Sequence, residues 1–316
     1  MNISEFYPIP KRYIFKKELS HGFLTRTSYF EDKETGKSYV CKSIEKESFL
    51  KLELTDFLSY VEKLHKYQFS FVQQYTERYE TDKYCVLIRP YIEGDCLAEM
   101  ISNAGENNFD QMYNIWKIIY DHFTELHTHS LCPNFIKPNN IFILENGNVV
   151  LVDLFPPPND VDLMLRSISI FYIGFLAPEF FTANEQIGKE SDLWSLGVLL
   201  VFMLTKSLPW KSNNIFTILQ QINSCTINLV IKIPDEFVYI IKGLIQKKPE
   251  MRKLNQNISI TKKMIKIVND KDISLPNKDN SHFMTLPFSL KQSKSMTNLV
   301  GKGIQLRTRQ TKDQLK

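Results

Sequence analysis

The sequence predicts an α+β fold of two packed lobes, and three patterns carry that prediction. Short segments rich in Tyr, Ile and Val, bounded by turn residues, fill the first third. Segments with apolar residues near a 3.6-residue period dominate the remainder up to residue 256. One strand pair, Ile141–Leu144 with Val149–Val152 around Glu145-Asn146-Gly147-Asn148, lies between the helical stretches. Strands gathered ahead of helices fit two layers that bury their apolar faces separately.

In chain order, Tyr13–Leu19 and Lys37–Ile44 read as strands joined by a hairpin, with Lys33-Glu34-Thr35-Gly36-Lys37 as the turn signal. Glu47–His65 is a predicted helix, since Phe49, Leu50, Leu54, Phe57, Leu58, Val61 and Leu64 share one face. Phe71–Tyr75 and Tyr84–Ile88 read as two more strands, and Phe109–Thr128 as a helix. From Asp192 onward helices dominate. The apolar run Leu193–Leu204 is too short for a bilayer, which needs about 20 residues, and predicts a buried core helix. Residues 257–316 are rich in Ser, Asn, Lys and Thr and predict a disordered tail, with one short amphipathic helix at Lys262–Val268.

Composition narrows the class. Hydrophobic content of 43% and 23% charged residues are ordinary for a globular protein. The net charge of +4 hides an asymmetry: residues 257–316 hold twelve Lys/Arg against four Asp/Glu, leaving 27 against 31 in the rest. The basic character therefore belongs to the tail. Its charges, such as Lys262, Lys263, Lys266, Arg307 and Arg309, are dispersed and lack interleaved aromatics, which favours a solvated tail over a nucleic-acid contact. The cluster around Phe283 and Phe288 is a candidate docking segment. Cys41, Cys85, Cys96, Cys132 and Cys225 show no metal-site spacing and suggest reduced thiols. Met1–Pro10 has no apolar h-region, so the expected setting is cytoplasmic or nuclear, with no membrane span.

Several motifs then occur in a fixed order. Lys137-Pro138-Asn139-Asn140 stands thirteen residues ahead of Asp153; Ala177-Pro178-Glu179 follows; then come Ser191-Asp192-Leu193-Trp194-Ser195-Leu196-Gly197-Val198, Leu208-Pro209-Trp210 and Pro249-Glu250-Met251-Arg252. Together they resemble the eukaryotic protein kinases, of Ser/Thr type because of Lys137, with the calmodulin-dependent group nearest. The resemblance implies the two-lobed kinase fold over residues 13–256, with the smaller lobe at about 13–91 and the larger at about 92–256. Residues 1–12 would be an extension and 257–316 a basic tail. It implies a buried Glu179–Arg252 ion pair and an Asp192 that braces the catalytic loop. It also implies ATP at Gly22, Lys42, Arg89, Ile92 and Phe142, with Mg²⁺ held by Asn140 and Asp153.

The departures are as informative. Where the family has the Asp that accepts the substrate's proton, this chain has Phe135, which has neither a lone pair nor a titratable proton. The preceding Arg is Asn134, so a phosphate on Ser167, Ser169 or Tyr172 would lack its usual clamp. The Asp-Phe-Gly triplet is Asp153-Leu154-Phe155, without the hinge Gly. The phosphate loop, Leu19 to Thr27, keeps Gly22 alone of three glycines. The helix Glu that pairs with Lys42 has become Phe57, with Glu53, Asp56 and Glu62 nearby. Val40 and Phe142 crowd the adenine pocket, and Arg89 stands at the apolar gatekeeper position. There it must find a carboxylate of the first helix or ATP itself, or, with the alignment shifted by one residue, lie exposed.

This pattern implies a pseudokinase, an interaction or allosteric module for another protein, with ATP and Mg²⁺ binding weak or absent. The alternative is a weakly active Ser/Thr kinase carried by Lys42, Lys137, Asn140 and Asp153. A third reading makes the fold a scaffold whose basic tail docks a partner.

Overall fold

A computed structural model describes residues 3–22, 25–48, 51–105, 108–157, 161–182, 186–229 and 231–254. The first lobe is built on β1 (Tyr13–His21), β2 (Thr25–Asp32), β3 (Ser38–Glu45), β4 (Glu77–Glu80) and β5 (Tyr84–Pro90). They form one antiparallel sheet in the order β1-β2-β3-β5-β4. Alternation puts Tyr13, Phe30, Cys41, Val86 and Ile88 on one face, where Tyr7 closes over them behind a short helix α1 (Ile3–Phe6). The other face presents Ile44, Cys85 and Leu87 to Phe57 of α2 (Lys51–Tyr67).

Three sequence expectations change here. The expected single hairpin from Tyr13–Leu19 to Lys37–Ile44 is two hairpins, with β2 between the outer strands. β2 escapes an apolar reading because Thr27, Ser28 and Asp32 are buried polar residues. Ser28 Oγ meets the Tyr7 hydroxyl at 2.7 Å, and Asp32 Oδ1 accepts the Glu34 N–H at 2.8 Å. Secondly, Phe71–Tyr75 is a connection touching the second lobe by one parallel bridge, Val72 to Leu151, and the strand lies at Glu77–Glu80. That Glu-Arg-Tyr-Glu edge has no apolar run to announce it. Thirdly, Lys46–Ser48 is a 3₁₀ turn, and α2 begins at Lys51.

The second lobe runs through β6 (Asp95–Cys96), α3 (Leu97–Asn103), α4 (Phe109–Thr128), β7 (Ile141–Ile143), β8 (Val149–Leu151), α5 (Val161–Ser167), α6 (Ile170–Ile173), α7 (Lys189–Thr205), α8 (Ile215–Ser224) and α9 (Asp235–Leu244). β6, β7 and β8 make a small antiparallel sheet beside the lobe junction. α7 is apolar nearly all round because it is buried nearly all round. Trp116 of α4 donates its indole N–H to Leu196 O at 2.8 Å, and Trp194 stacks on Trp210 at 5.9 Å. Gly197 lets α7 approach α9, since a Cβ there would sit 2.9 Å from both Leu244 Cβ and Ile245 Cγ1. Among the described residues no helix is long and apolar enough to cross a membrane. The expected tail, with its Lys262–Val268 helix and the Phe283–Phe288 cluster, lies outside the described residues.

Candidate functional site

Asp153 sits at the junction of the lobes, just beyond β8, with a left-handed φ of 50° that a non-glycine residue rarely adopts. Its carboxylate is the meeting point of three side chains. Lys42 Nζ, from the middle of β3, lies 2.9 Å from Oδ2. Arg89 Nε, from β5, lies 3.2 Å from Oδ1, and the Tyr75 hydroxyl donates to the same oxygen at 2.6 Å. Side-chain exposure is 6% for Asp153 and Arg89 and 11% for Lys42, so these charges are withdrawn from water together. Burial alone would raise the Asp153 pKa. The charges of Lys42 and Arg89 and the Tyr75 hydrogen bond outweigh it and hold the group well below the usual carboxylate range.

Of the two placements open to Arg89, the structure chooses the buried one. It faces Val40 across the sheet and reaches neither α2 nor solvent, because Asp153 is the carboxylate within range. Position 57 of α2 holds an aromatic ring instead of an acid. Phe57 and Phe155 approach to 4.4 Å between ring centroids, and Tyr75 stacks on the far side of Phe155 at 6.0 Å. Lys42 Nζ lies 5.2 Å from the Phe155 ring. Of the nearby acids, Glu62 contacts Arg78 at 3.4 Å and Asp56 lines an open cavity with Ser59, Lys63 and Pro156, while the Glu53 side chain lies outside the described residues.

The loop after α4 places Phe135 where it is buried, edge-on to Tyr172 of α6 at 6.4 Å. Lys137 Nζ lies 4.3 Å from the Phe135 ring and 5.4 Å from the Tyr172 ring, so the ammonium rests between two π faces. Burial and the neighbouring Lys42 charge lower its pKa to about 7, against a smaller opposing pull from Asp153. The Tyr172 hydroxyl donates to Asn139 Oδ1, fixing the aromatic wall to the loop. Asn140 donates its amide to the Asp153 backbone oxygen at 3.3 Å, so Asn140 and Asp153 are neighbours joined through the main chain.

These residues do not fit Mg²⁺ as they stand. Mg²⁺ takes oxygen ligands at about 2.0–2.1 Å, and Lys42, Arg89 and the Tyr75 hydroxyl already occupy three of the roughly four acceptor sites of the Asp153 carboxylate. Around the pocket, Val40 and Ile92 are buried and Phe142 is half-buried on β7. Gly22 lies at the exposed end of the β1–β2 hairpin, where its N–H donates to Thr25 O at 2.8 Å. That amide is committed to the turn and not offered to a phosphate.

Below the loop, Glu179 and Arg252 form a fully buried bidentate pair at 2.5 and 2.8 Å. Ser191 Oγ donates to Glu179 at 2.6 Å, and Arg252 also reaches the Glu190 and Gln246 carbonyls. Every strong donor is thus paired, the condition under which a buried ion pair is tolerated. Asp192 accepts the Asn134 N–H at 2.7 Å and the His127 imidazole at 2.8 Å, fixing Asn134 at a φ of 57°. Burial raises the Asp192 pKa, opposed mainly by His127. Tyr75, His127 and Tyr172 are site residues that the sequence motifs did not single out in these roles. Their partners lie tens of residues away in the chain and leave no spacing signal.

A protein kinase domain model matches residues 13–264. Among curated proteins, the chain is 29% identical over 240 residues to a protein named "Probable serine/threonine-protein kinase KIN1 homolog" from Enterocytozoon bieneusi, covering 74% of this chain and 39% of the relative. It is 24% identical over 246 residues to "Sperm motility kinase 2B" of Mus musculus, covering 76% of this chain and 49% of that protein. "Sperm motility kinase 2A" of the same species is 24% identical over 254 residues, covering 79% and 49%. The chain therefore spans less than half the length of these relatives. A family match over most of the chain joins a five-stranded first lobe and a helical second lobe, and the chain belongs to the eukaryotic protein kinase superfamily, of the Ser/Thr type.

Proposed function

We propose that this protein is a pseudokinase: a kinase-fold interaction module that binds another protein and transfers no phosphate. The observation that carries the reading is the crowded Asp153 carboxylate, with three of its roughly four acceptor sites taken. Lys42 and Arg89 place two positive charges where the family would use a metal ion, and Tyr75 takes a further lone pair. Phe135 removes the proton acceptor, and the Gly22 turn closes on its own backbone. ATP and Mg²⁺ would have to displace Arg89 and Lys42 from a paired, water-poor site before gaining contacts of their own. The working unit is residues 13–256, a cytoplasmic domain resembling the calmodulin-dependent group, and residues 257–316 carry the basic charge of a tail.

The test is a thermal-shift titration of the full chain with ATP, with and without Mg²⁺. A ligand confined to the folded state stabilises it by about 2.7 kcal/mol at roughly a hundred times Kd. No Mg²⁺-dependent shift up to millimolar ATP is expected; a clear one would refute the closed-site reading.

A second reading, a weak Ser/Thr kinase, is favoured by one observation: Lys42, Lys137, Asn140 and Asp153 all converge on the lobe junction. Phosphoryl transfer rests largely on positioning and charge, and a general base contributes roughly 10²–10⁴-fold. Phe135→Asp would then raise phosphate transfer by a factor in that range, whereas the closed-site reading expects no gain.

A further inference from the structure

The lobe junction holds more positive charge than it can pair. Lys42 comes from β3, Arg89 from β5 and Lys137 from the loop after α4, and each acts on the Asp153 carboxylate. Lys42 and Arg89 take that carboxylate, and the Tyr75 hydroxyl fills a third acceptor site. Lys137 is left over. Among the described residues no carboxylate or carbonyl accepts a hydrogen bond from its Nζ, and no ion pair includes it.

Its surroundings are aromatic instead. Nζ lies 4.3 Å from the centre of the Phe135 ring and 5.4 Å from that of Tyr172. The Tyr172 hydroxyl is engaged with Asn139 Oδ1. Lys137 and Tyr172 are both half-buried, so neither is sealed in the core. Withdrawal from water and repulsion by Lys42 both favour the neutral amine, and the lesser pull of Asp153 does not offset them. At pH 7 an exposed lysine, with a pKa of about 10.4, is neutral in about one chain in 2,500. A pKa of about 7 leaves Lys137 neutral in half of them. A lysine desolvated beside a second cation is a recognised setting for an amine that attacks carbonyl carbon.

We propose that Lys137 is an acylation site, modified directly by small acyl thioesters that enter the lobe junction. The neutral amine adds its lone pair to the thioester carbonyl carbon; the C–N bond forms and the C–S bond breaks. Sulfur leaves with the bonding pair and takes up the proton that nitrogen sheds. A thiol is released, and nothing is oxidised or reduced. The tetrahedral oxyanion on the way forms within the field of the Lys42 ammonium, which stabilises it. A thioester suits the site better than an aldehyde, because a thiolate departs unaided whereas forming an imine expels water and needs a proton donor. The product is an uncharged amide against Phe135 and Tyr172, which ends the repulsion between Lys137 and Lys42. The inference concerns this amine alone and holds whether or not the domain transfers phosphate.

The test incubates the full chain with acetyl-coenzyme A and follows each lysine by peptide mass spectrometry. At pH 7 Lys137 should acylate about tenfold faster, or more, than exposed Lys211 and Lys242, its larger neutral fraction being partly offset by lower basicity and narrower access. Its rate should level off above about pH 8, while theirs rise about tenfold per pH unit to near pH 10. In denaturing urea the preference should vanish, since the local sequence remains and the packing does not. Phe135→Asp places a carboxylate against the amine and should slow its acylation about tenfold. The pH profile of the unmodified chain needs no variant to fold. Labelling of Lys137 no faster than of Lys242, a rate that climbs with theirs to pH 10, a preference that survives urea, or an unchanged rate in folded Phe135→Asp would each overturn the site.

Discussion

Replacing Asp153 by Asn keeps the shape of the side chain and removes the one negative charge shared by Lys42 and Arg89. Both cations are nearly buried, at 11% and 6% side-chain exposure, so neither can recover its hydration without opening the lobe junction. Removing one partner of a buried pair costs about 3–5 kcal/mol, mostly the penalty of the charge left behind. For a domain of this size each kcal/mol moves Tm by roughly 2–4 °C, so Asp153→Asn should lower Tm by about 6–20 °C. The assay is urea unfolding at pH 7, read as a shift in midpoint at unchanged m-value. The same experiment with Arg89→Met supplies the coupling: in the Asp153→Asn background, removing Arg89 should cost less than it does in the parent, or stabilise. The pH dependence has a definite sign. The folded pKa of Asp153 lies below its unfolded value of about 3.9, so its contribution is full above that value and declines as pH falls toward the folded pKa. The gap between parent and Asp153→Asn should be constant from pH 7 to near 4 and narrow below it. A cost under about 1 kcal/mol, or a gap that grows on acidification, would refute the picture of a charge cluster closing the site.

Three further outcomes follow from the packing. Glu179→Gln leaves Arg252 without its buried counter-ion and should cost about 3–5 kcal/mol in the same unfolding assay, beyond the loss from an exposed pair. Gly197→Ala forces a Cβ against Leu244 and Ile245 and should destabilise by about 1–3 kcal/mol through overpacking, despite alanine's better helix propensity. Lys137 has a folded pKa near 7 against an ordinary 10.5, so between those values the unfolded chain binds the extra proton and stability should rise with pH. Lys137→Met should remove that slope, as measured by unfolding midpoints across pH 7 to 10.

The second-lobe helices were legible in the sequence wherever burial and periodicity agree. Phe109–Thr128 has an amphipathic stripe and capping Asn108, and α7 announces itself as an apolar run interrupted only by Ser195 and Gly197. β2 and β4 were not legible, because a strand whose buried positions include Thr27, Ser28 and Asp32 on its two faces, or whose edge is Glu-Arg-Tyr-Glu, carries no clear apolar alternation. The same division holds at the site. The identity of the residue at position 135 is a one-letter fact that removes a proton acceptor in any fold compatible with its motif.

What the sequence by itself determined is thus the family-like order of motifs and the losses: Phe135, Asn134, Phe155 and two missing glycines of the phosphate loop. Those are absences of chemistry, and an absence is local. Tertiary structure alone decided what replaced them. Arg89 turned to Asp153 rather than to α2, Tyr75 joined it across 78 positions, and Phe155 closed on Phe57. His127 came within 2.8 Å of Asp192 by the same route. The physical reason is that a buried charge or donor must find a partner within a few ångströms, and which groups lie that close is settled by how the lobes pack, not by their spacing along the chain.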